Sequence, residues 1–167
     1  MKKLLPLIFI LCWGFVAYAD YTGTVTTNQS ELTFSTNSWY DVVALPEGFY
    51  TKEIGAPQLP VRTISILIPI DKMVSSITIN STTIQQLSGT YNIYPVQTPI
   101  PTNMTLDSSP FDDPNPVIYN STNPYPDIQY TISSDGYPMG YHVVTITFYP
   151  LEYIPLSKIY SYIYMTI

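Results

Sequence analysis

Two prolines three residues apart, Pro57 and Pro60, stand directly ahead of a run with strand periodicity, and no other feature restricts this chain so tightly. Within residues 53–69 the order is Glu-Ile-Gly-Ala-Pro-Gln-Leu-Pro-Val-Arg-Thr-Ile-Ser-Ile-Leu-Ile-Pro. Gly55 permits backbone angles closed to other residues. Pro57 and Pro60 fix their own φ near about −65° and push Ala56 and Leu59 towards extended conformations. The segment is therefore stiff before it folds. From Arg62 the pattern alternates, with Ile64, Ile66 and Ile68 on one side and Thr63 and Ser65 on the other, until Pro69 withdraws a ladder donor. This predicts a half-buried strand of about seven residues in which Ile66 is buried.

The remainder of the chain supports an all-β fold. Of 167 residues, 16 are Pro and 16 Tyr, whereas Ala, Leu, Lys and Glu are scarce, so strand and turn formers outnumber helix formers. The expected architecture is an antiparallel β-sandwich of about eight to ten strands in one domain. Further strands are expected at 39–45, 74–79 with a continuation at 83–87, 91–96, 128–132 and 141–149, with a turn at Ser134-Asp135-Gly136. Val144, Ile146 and Phe148 should share one face. Residues 98–127 are dense in Pro and Asp and hold no Lys or Arg. They read as a long extended loop that is either a contact segment or slack chain. The last stretch, 159–167, sets Ile159, Ile163, Met165 and Ile167 against Tyr160, Tyr162 and Tyr164 and stops mid-pattern. A bare apolar terminal strand is an aggregation hazard, so the natural polypeptide is expected to continue.

Residues 1–19 have a basic start at Lys2 and Lys3, an apolar run over 4–16 and Ala17-Tyr18-Ala19 at the cleavage position, the three parts of a secretory signal peptide. Residues 20–37, rich in Thr and Ser with weak alternation at Thr33-Phe34-Ser35, read as a lead-in or an edge strand, and 38–167 as the folded domain. No other segment approaches the ~20 apolar residues of a membrane span, so none is expected after cleavage. Without Lys2 and Lys3, four basic residues face twelve acidic ones, a net charge near −8 that disfavours nucleic acid, whose phosphates need clustered Lys and Arg. The single cysteine, Cys12, lies in the leader, which excludes disulfides and thiolate catalysis from the exported chain.

Little else carries chemistry. His142 is the only histidine, it precedes a strand, and no Gly-x-Ser-x-Gly turn accompanies it, so a structural role is expected. Asp107, Asp112 and Asp113 form the one set of oxygen ligands that calcium could use, although Asp-Asp-Pro in a loop reads more simply as a solvated turn. No cofactor is called for. Sequons at Asn28, Asn80, Asn103 and Asn120 mark polar, exposed stretches.

Gly55, Pro57, Leu59 and Pro60 are preceded by Tyr-Asp-Val-Val-Ala-Leu at 40–45 and followed by Ile-Pro-Ile-Asp-Lys at 68–72 and Phe-Tyr-Pro-Leu-Glu-Tyr-Ile-Pro at 148–155. In that order, behind a signal peptide, these segments resemble the N-terminal propeptide of gingipain-type cysteine peptidases of the caspase-like clan. The resemblance implies a non-catalytic domain of a secreted bacterial precursor. Its partner would be the cognate peptidase domain of the same polypeptide, which it would keep latent and help to fold before being removed by proteolysis. In a bacterial host the sequons would ordinarily carry no glycan. The specificity pocket of such peptidases prefers Arg or Lys, yet the 98–127 loop offers neither. Candidate latency contacts are therefore Asp112 and Asp113, which suit an Arg-lined pocket, with Lys52, Arg62, Lys72 and Lys158 as basic alternatives. The reading from another class is a secreted, Tyr-rich binding or adhesin module that recognises sugars or surface proteins through exposed aromatics.

Overall fold

The computed structural model describes residues 21–79, 81–103, 110–155 and 159–166, with the backbone alone for 81, 82 and 159–166. The signal peptide, the Asn80 sequon, Asp107 and Lys158 lie outside the described residues. The fold is all-β, and the described residues contain nine strands and one four-residue α-helix, with two short 3-10 turns. The strands are β1 (Thr24–Val25), β2 (Thr33–Asn37), β3 (Tyr40–Ala44), β4 (Arg62–Ile68), β5 (Ser81–Gln86), β6 (Tyr130–Gly136), β7 (His142–Phe148), β8 (Leu151–Ile154) and β9 (Ile159–Thr166). They form three antiparallel sheets, and each is held by a different part of the sequence pattern.

The strand that follows the proline pair spans Arg62–Ile68 as its alternation predicts, and it pairs with β7 over its whole length, from Arg62 opposite Phe148 to Ile68 opposite His142. β6 adds to the far side of β7, giving the order β4-β7-β6. Val144, Ile146 and Phe148 share the buried face, at 0%, 3% and 0% exposure, and with Val25 they form one of two core clusters. Ile64, Ile66 and Ile68 pack against this cluster but are half-buried, because β4 is an edge strand with a neighbour on one side only. The other face carries Thr63 and Ser65, whose hydroxyl lies 3.0 Å from that of Thr145.

In the second sheet β9 is central. β5 pairs with it over 161–166, while β8 pairs over 159–162 and β1 over 165–166. Where these pairings overlap, a β9 residue is bonded on both edges, so β8 and β1 share the edge opposite β5. The bare terminal strand expected from the sequence is thus covered along its length. The third sheet is the β2-β3 hairpin, turned at Ser38, with φ of 55°, and Trp39. Residues 33–37, read from the sequence as part of a lead-in or an edge strand, form one arm of this hairpin. Leu32 lies in the larger core cluster, with Val43, Leu45, Leu59, Leu87, Ile93, Leu151 and Tyr153. Each such buried side chain contributes about 1.5–3 kcal/mol relative to exposure.

Three expected elements differ. Residues 74–79 form no strand: Val74, Ile77 and Ile79 turn towards the second cluster at spacings of three and then two, and the Ile77 carbonyl accepts from the Tyr130 hydroxyl at 3.0 Å. Residues 91–96 are extended but make isolated bridges, Asp41 to Ile93 in parallel and Pro57 to Pro95 antiparallel, since Pro95 has no N–H to continue a ladder. The strand expected at 128–132 begins at Tyr130 and runs on to Gly136. A bulge between Ile132 and Ser134 absorbs the break in alternation and moves the turn to Pro138–Gly140, where Met139 and Gly140 take positive φ.

Tyr153 sits wholly inside the larger cluster, and burial pushes its phenol up to about 12 from 10.0. Tyr119 and Tyr125, packed against the same cluster, are raised by burial as well, with Tyr153 the next cause at Tyr119 and the Glu53 carboxylate at Tyr125. A phenol raised in the folded state contributes stability that is complete below the unfolded value and is lost as pH climbs through the folded one. Urea unfolding should therefore give a constant midpoint up to about pH 9.5 and a falling one between about pH 10 and 12. Tyrosinate absorbance at 295 nm should show a fraction of the rings ionising only with unfolding.

Candidate functional contact surface

The Gly-Ala-Pro-Gln-Leu-Pro turn is the platform of the candidate site. Thr51, 8% exposed, pins it from within: its hydroxyl donates to the Pro57 carbonyl at 2.8 Å and accepts from the Leu59 N–H at 3.1 Å. Pro57, Leu59 and Pro60 are buried, with Leu59 in the larger core cluster. The turn lies along residues 94–96. The Gln58 N–H donates to the Tyr94 carbonyl, the Val96 N–H to Ala56 and the Gly55 N–H to Val96, each at 2.8 Å. Gly55 takes φ of 77°, and a Cβ there would come to 3.1 Å from the Asp113 carbonyl oxygen. Both the angle and the space require glycine.

The atom approaching Gly55 belongs to the 98–127 loop, so the turn and the loop meet. The Asn115 N–H donates to the Gly55 carbonyl at 2.8 Å, and the Asn115 side chain caps α1 (Pro116–Tyr119) by accepting from the Val117 N–H at 3.0 Å. Gln97 brackets Asp112: its Nε2 donates to the Asp112 carbonyl at 3.0 Å and its Oε1 accepts from the Asp112 N–H at 2.9 Å. Further along, Tyr119 donates to the Ile93 carbonyl at 2.7 Å, and Tyr125 and Tyr153 exchange both backbone hydrogen bonds at 2.8 Å. From 112 to 125 the loop is fastened to the rest of the domain through Asp112, Asn115, Tyr119 and Tyr125. Gln97, Asn115 and Thr51 were not singled out by the sequence. Only Asn115, an N-cap residue directly before a proline, carried a readable signal.

These contacts sort the candidate latency residues. The Asp112 carboxylate is turned inward and accepts from the Thr98 N–H at 2.6 Å, whereas Asp113 beside it is exposed. Arg62 is tied to Glu31 at 2.8 Å and Glu47 at 3.1 Å, with its side chain 18% exposed, and so anchors the start of β4. Lys72 lies at an exposed turn with Asp71 at 3.4 Å. Lys52 is exposed and lines a groove of about 300 Å³ with Thr51, Glu53, Tyr125, Pro126, Asp127, Ile128 and Tyr149. Lys52 and Asp113 are therefore the two candidates that flank Gly55 and face solvent.

His142, 2% exposed, donates from Nε2 to the Asp135 carboxylate at 2.6 Å and stacks on Tyr137 with ring centres 4.3 Å apart. It joins the end of β7 to the end of β6. Among the described residues, no three His, Cys, Asp or Glu side chains converge as a metal site, and no helix is long and apolar enough to cross a membrane.

The family described as Propeptide_C25 matches residues 24–167, and the chain belongs to it. It is thus a propeptide region of a peptidase precursor and not a catalytic domain. The fold is shared with two solved structures. One comes from work on the zymogenic latency of gingipain K from Porphyromonas gingivalis, 20% identical, with a TM-score of 0.69 over 81% of this chain and 77% of that one. The other is a complex of the pro- and mature domains of RgpB from Porphyromonas gingivalis, 19% identical, with a TM-score of 0.71 over 87% of this chain and 82% of that one. No curated protein matches the chain.

Gly55→Ala combines a positive φ with a close approach, whereas Gly48→Ala adds the φ of 69° with nothing within 4 Å of the new Cβ. Gly48→Ala should therefore cost about 1–2 kcal/mol in urea unfolding and Gly55→Ala about 1–2 kcal/mol more. Equal losses would mean that the loop does not press on the turn.

Proposed function

We propose that this domain packs on the peptidase domain downstream of it in the same precursor, keeps that domain latent and assists its folding, with the 98–127 loop lying across the active-site cleft. Membership of a propeptide family supports this reading. So does the RgpB structure, a complex of a pro-domain with a mature domain. The observation that carries it is the fastening of the loop onto the Gly55 turn through Asn115 and Asp113. A segment that must block a cleft gains affinity from being ordered beforehand, because its conformational entropy is then already lost.

Within this reading Asp113 is the acidic group offered to the partner and Lys52 the basic one, while Asp112 and Arg62 serve the propeptide's own structure. The sheets pack as a β-sandwich, the folded unit begins near residue 24, and a signal peptide cleaved after Ala19 exports the precursor. The adhesin alternative is favoured by one feature, Trp39 at 90% exposure beside the Tyr40, Tyr94 and Phe111 ring cluster. The gene sequence beyond residue 167 separates the two readings, since only the first requires a caspase-like domain with a His and a Cys.

The experiment compares the full precursor with a variant whose residues 103–123 are replaced by a short Gly-Ser linker, and with Asp113→Ala and Lys52→Ala. The linker variant should gain at least tenfold in peptidase activity before any cleavage, and one of the two point variants should follow it in part. A linker variant as silent as the natural precursor would place the blocking function elsewhere on the domain.

A further inference from the structure

The β4-β7-β6 sheet has two edges, and they are built differently. β6 carries a bulge between Ile132 and Ser134, a carboxylate at Asp135 directed to His142, and Gly136 at its end. Bulges and charges are the devices that keep a second strand from adding to an edge. β4 has none of them. Its seven residues are regular, the six from Thr63 to Ile68 are uncharged, and Arg62 at its start is held by Glu31 and Glu47. Among the described residues no backbone group outside β7 bonds to Thr63–Ile68. Among the described residues, the N–H and C=O groups directed away from β7 thus form an open row.

The side chains along that edge are those of an interface. Leu67 is 64% exposed, and beyond Pro69 the surface continues through Ile70 at 66% and Met73 at 83%. On the other face Ile64, Ile66 and Ile68 are half-buried although they belong to a core cluster. A strand laid beside β4 would cover the exposed remainder of these isoleucines and satisfy the open row together.

We infer that β4 is a docking edge for an extended strand of the downstream peptidase domain, which adds to the sheet as a fourth strand. The inference rests on the proposed function for the identity of the partner. The incoming strand is uncharged, places apolar side chains beside Ile64 and Ile66 and short hydroxylated ones beside Thr63 and Ser65. Charge argues against a second copy as the occupant, since the exported chain bears about eight net negative charges and two copies repel. Strand addition supplies affinity through main-chain bonds, and the alternating side chains supply specificity.

The test uses the full precursor. Hydrogen exchange followed residue by residue should find all the amides of 62–68 protected, including the alternate set directed away from β7. In the double variant Ser65→Lys, Leu67→Lys, two exposed positions whose replacement leaves the core intact, that set should exchange at least tenfold faster and uncleaved activity should rise at least tenfold. The double variant Ser133→Lys, Ser134→Lys on the β6 edge adds the same charge and should change neither. Fast exchange of the outward set in the natural precursor overturns the inference. So does an unchanged precursor after the β4 lysines are introduced, or a precursor dimer that those lysines dissociate. If the natural precursor is active before cleavage, the latency reading fails, while protection of β4 still decides whether a strand adds there.

Discussion

The hydrogen-bonded seating of the Gly55 turn against residues 94–96 is the contact on which the rest of the domain depends. Three N–H groups, of Gly55, Gln58 and Val96, are satisfied across it at 2.8 Å, and the Thr51 hydroxyl holds the turn from the other side. The turn carries Leu59 into the larger core cluster and hands the chain to β4, so one local structure feeds both cores. It also presents the carbonyl of Gly55 to Asn115, and through it fixes the long loop. Buried backbone groups must find partners, and here the partners are chosen so that a turn, an extended segment and a loop are satisfied together.

That seating explains why so small a motif could be read from sequence. Pro57 and Pro60 restrict the unfolded chain, and Ile64, Ile66 and Ile68 fall on one side against Thr63 and Ser65, so the element and its register are local properties. The same holds for β7, where Val144, Ile146 and Phe148 fall on one side. Residues 74–79 and 91–96 could not be told from strands, because their apolar residues serve the core without a ladder beside them. Hydrophobic periodicity reports burial; it does not report whether a neighbouring backbone is present to accept bonds. The β2 arm was legible only as a lead-in or an edge strand, because all its residues are exposed and only its pairing with β3 makes it a strand. At the candidate site, Asp112 and Asp113 are adjacent and alike in sequence. Their separation into an internal acceptor and an exposed carboxylate depends on Gln97 and Thr98, fifteen and fourteen residues away.

The domain belongs to a propeptide family, and its one histidine is held by Asp135 in a structural role at the end of β7. Low charge, exposed aromatics and an ordered loop form a face that a partner can cover without desolvating many ions. The stability needed to present such a face comes from two apolar clusters joined through the Arg62 ion pairs with Glu31 and Glu47, which fasten the start of β4 to the segments leading into and out of the β2-β3 hairpin.

Native-state hydrogen exchange at the Gly55, Gln58, Val96 and Asn115 amides tests the central claim most directly. If the seated turn holds the loop, these four amides exchange as one class, with opening free energies close to those of the β7 amides, since both report the same cooperative unit. Exchange of the four at the rate of an exposed turn such as that at Gly48, while β7 remains protected, would contradict the account.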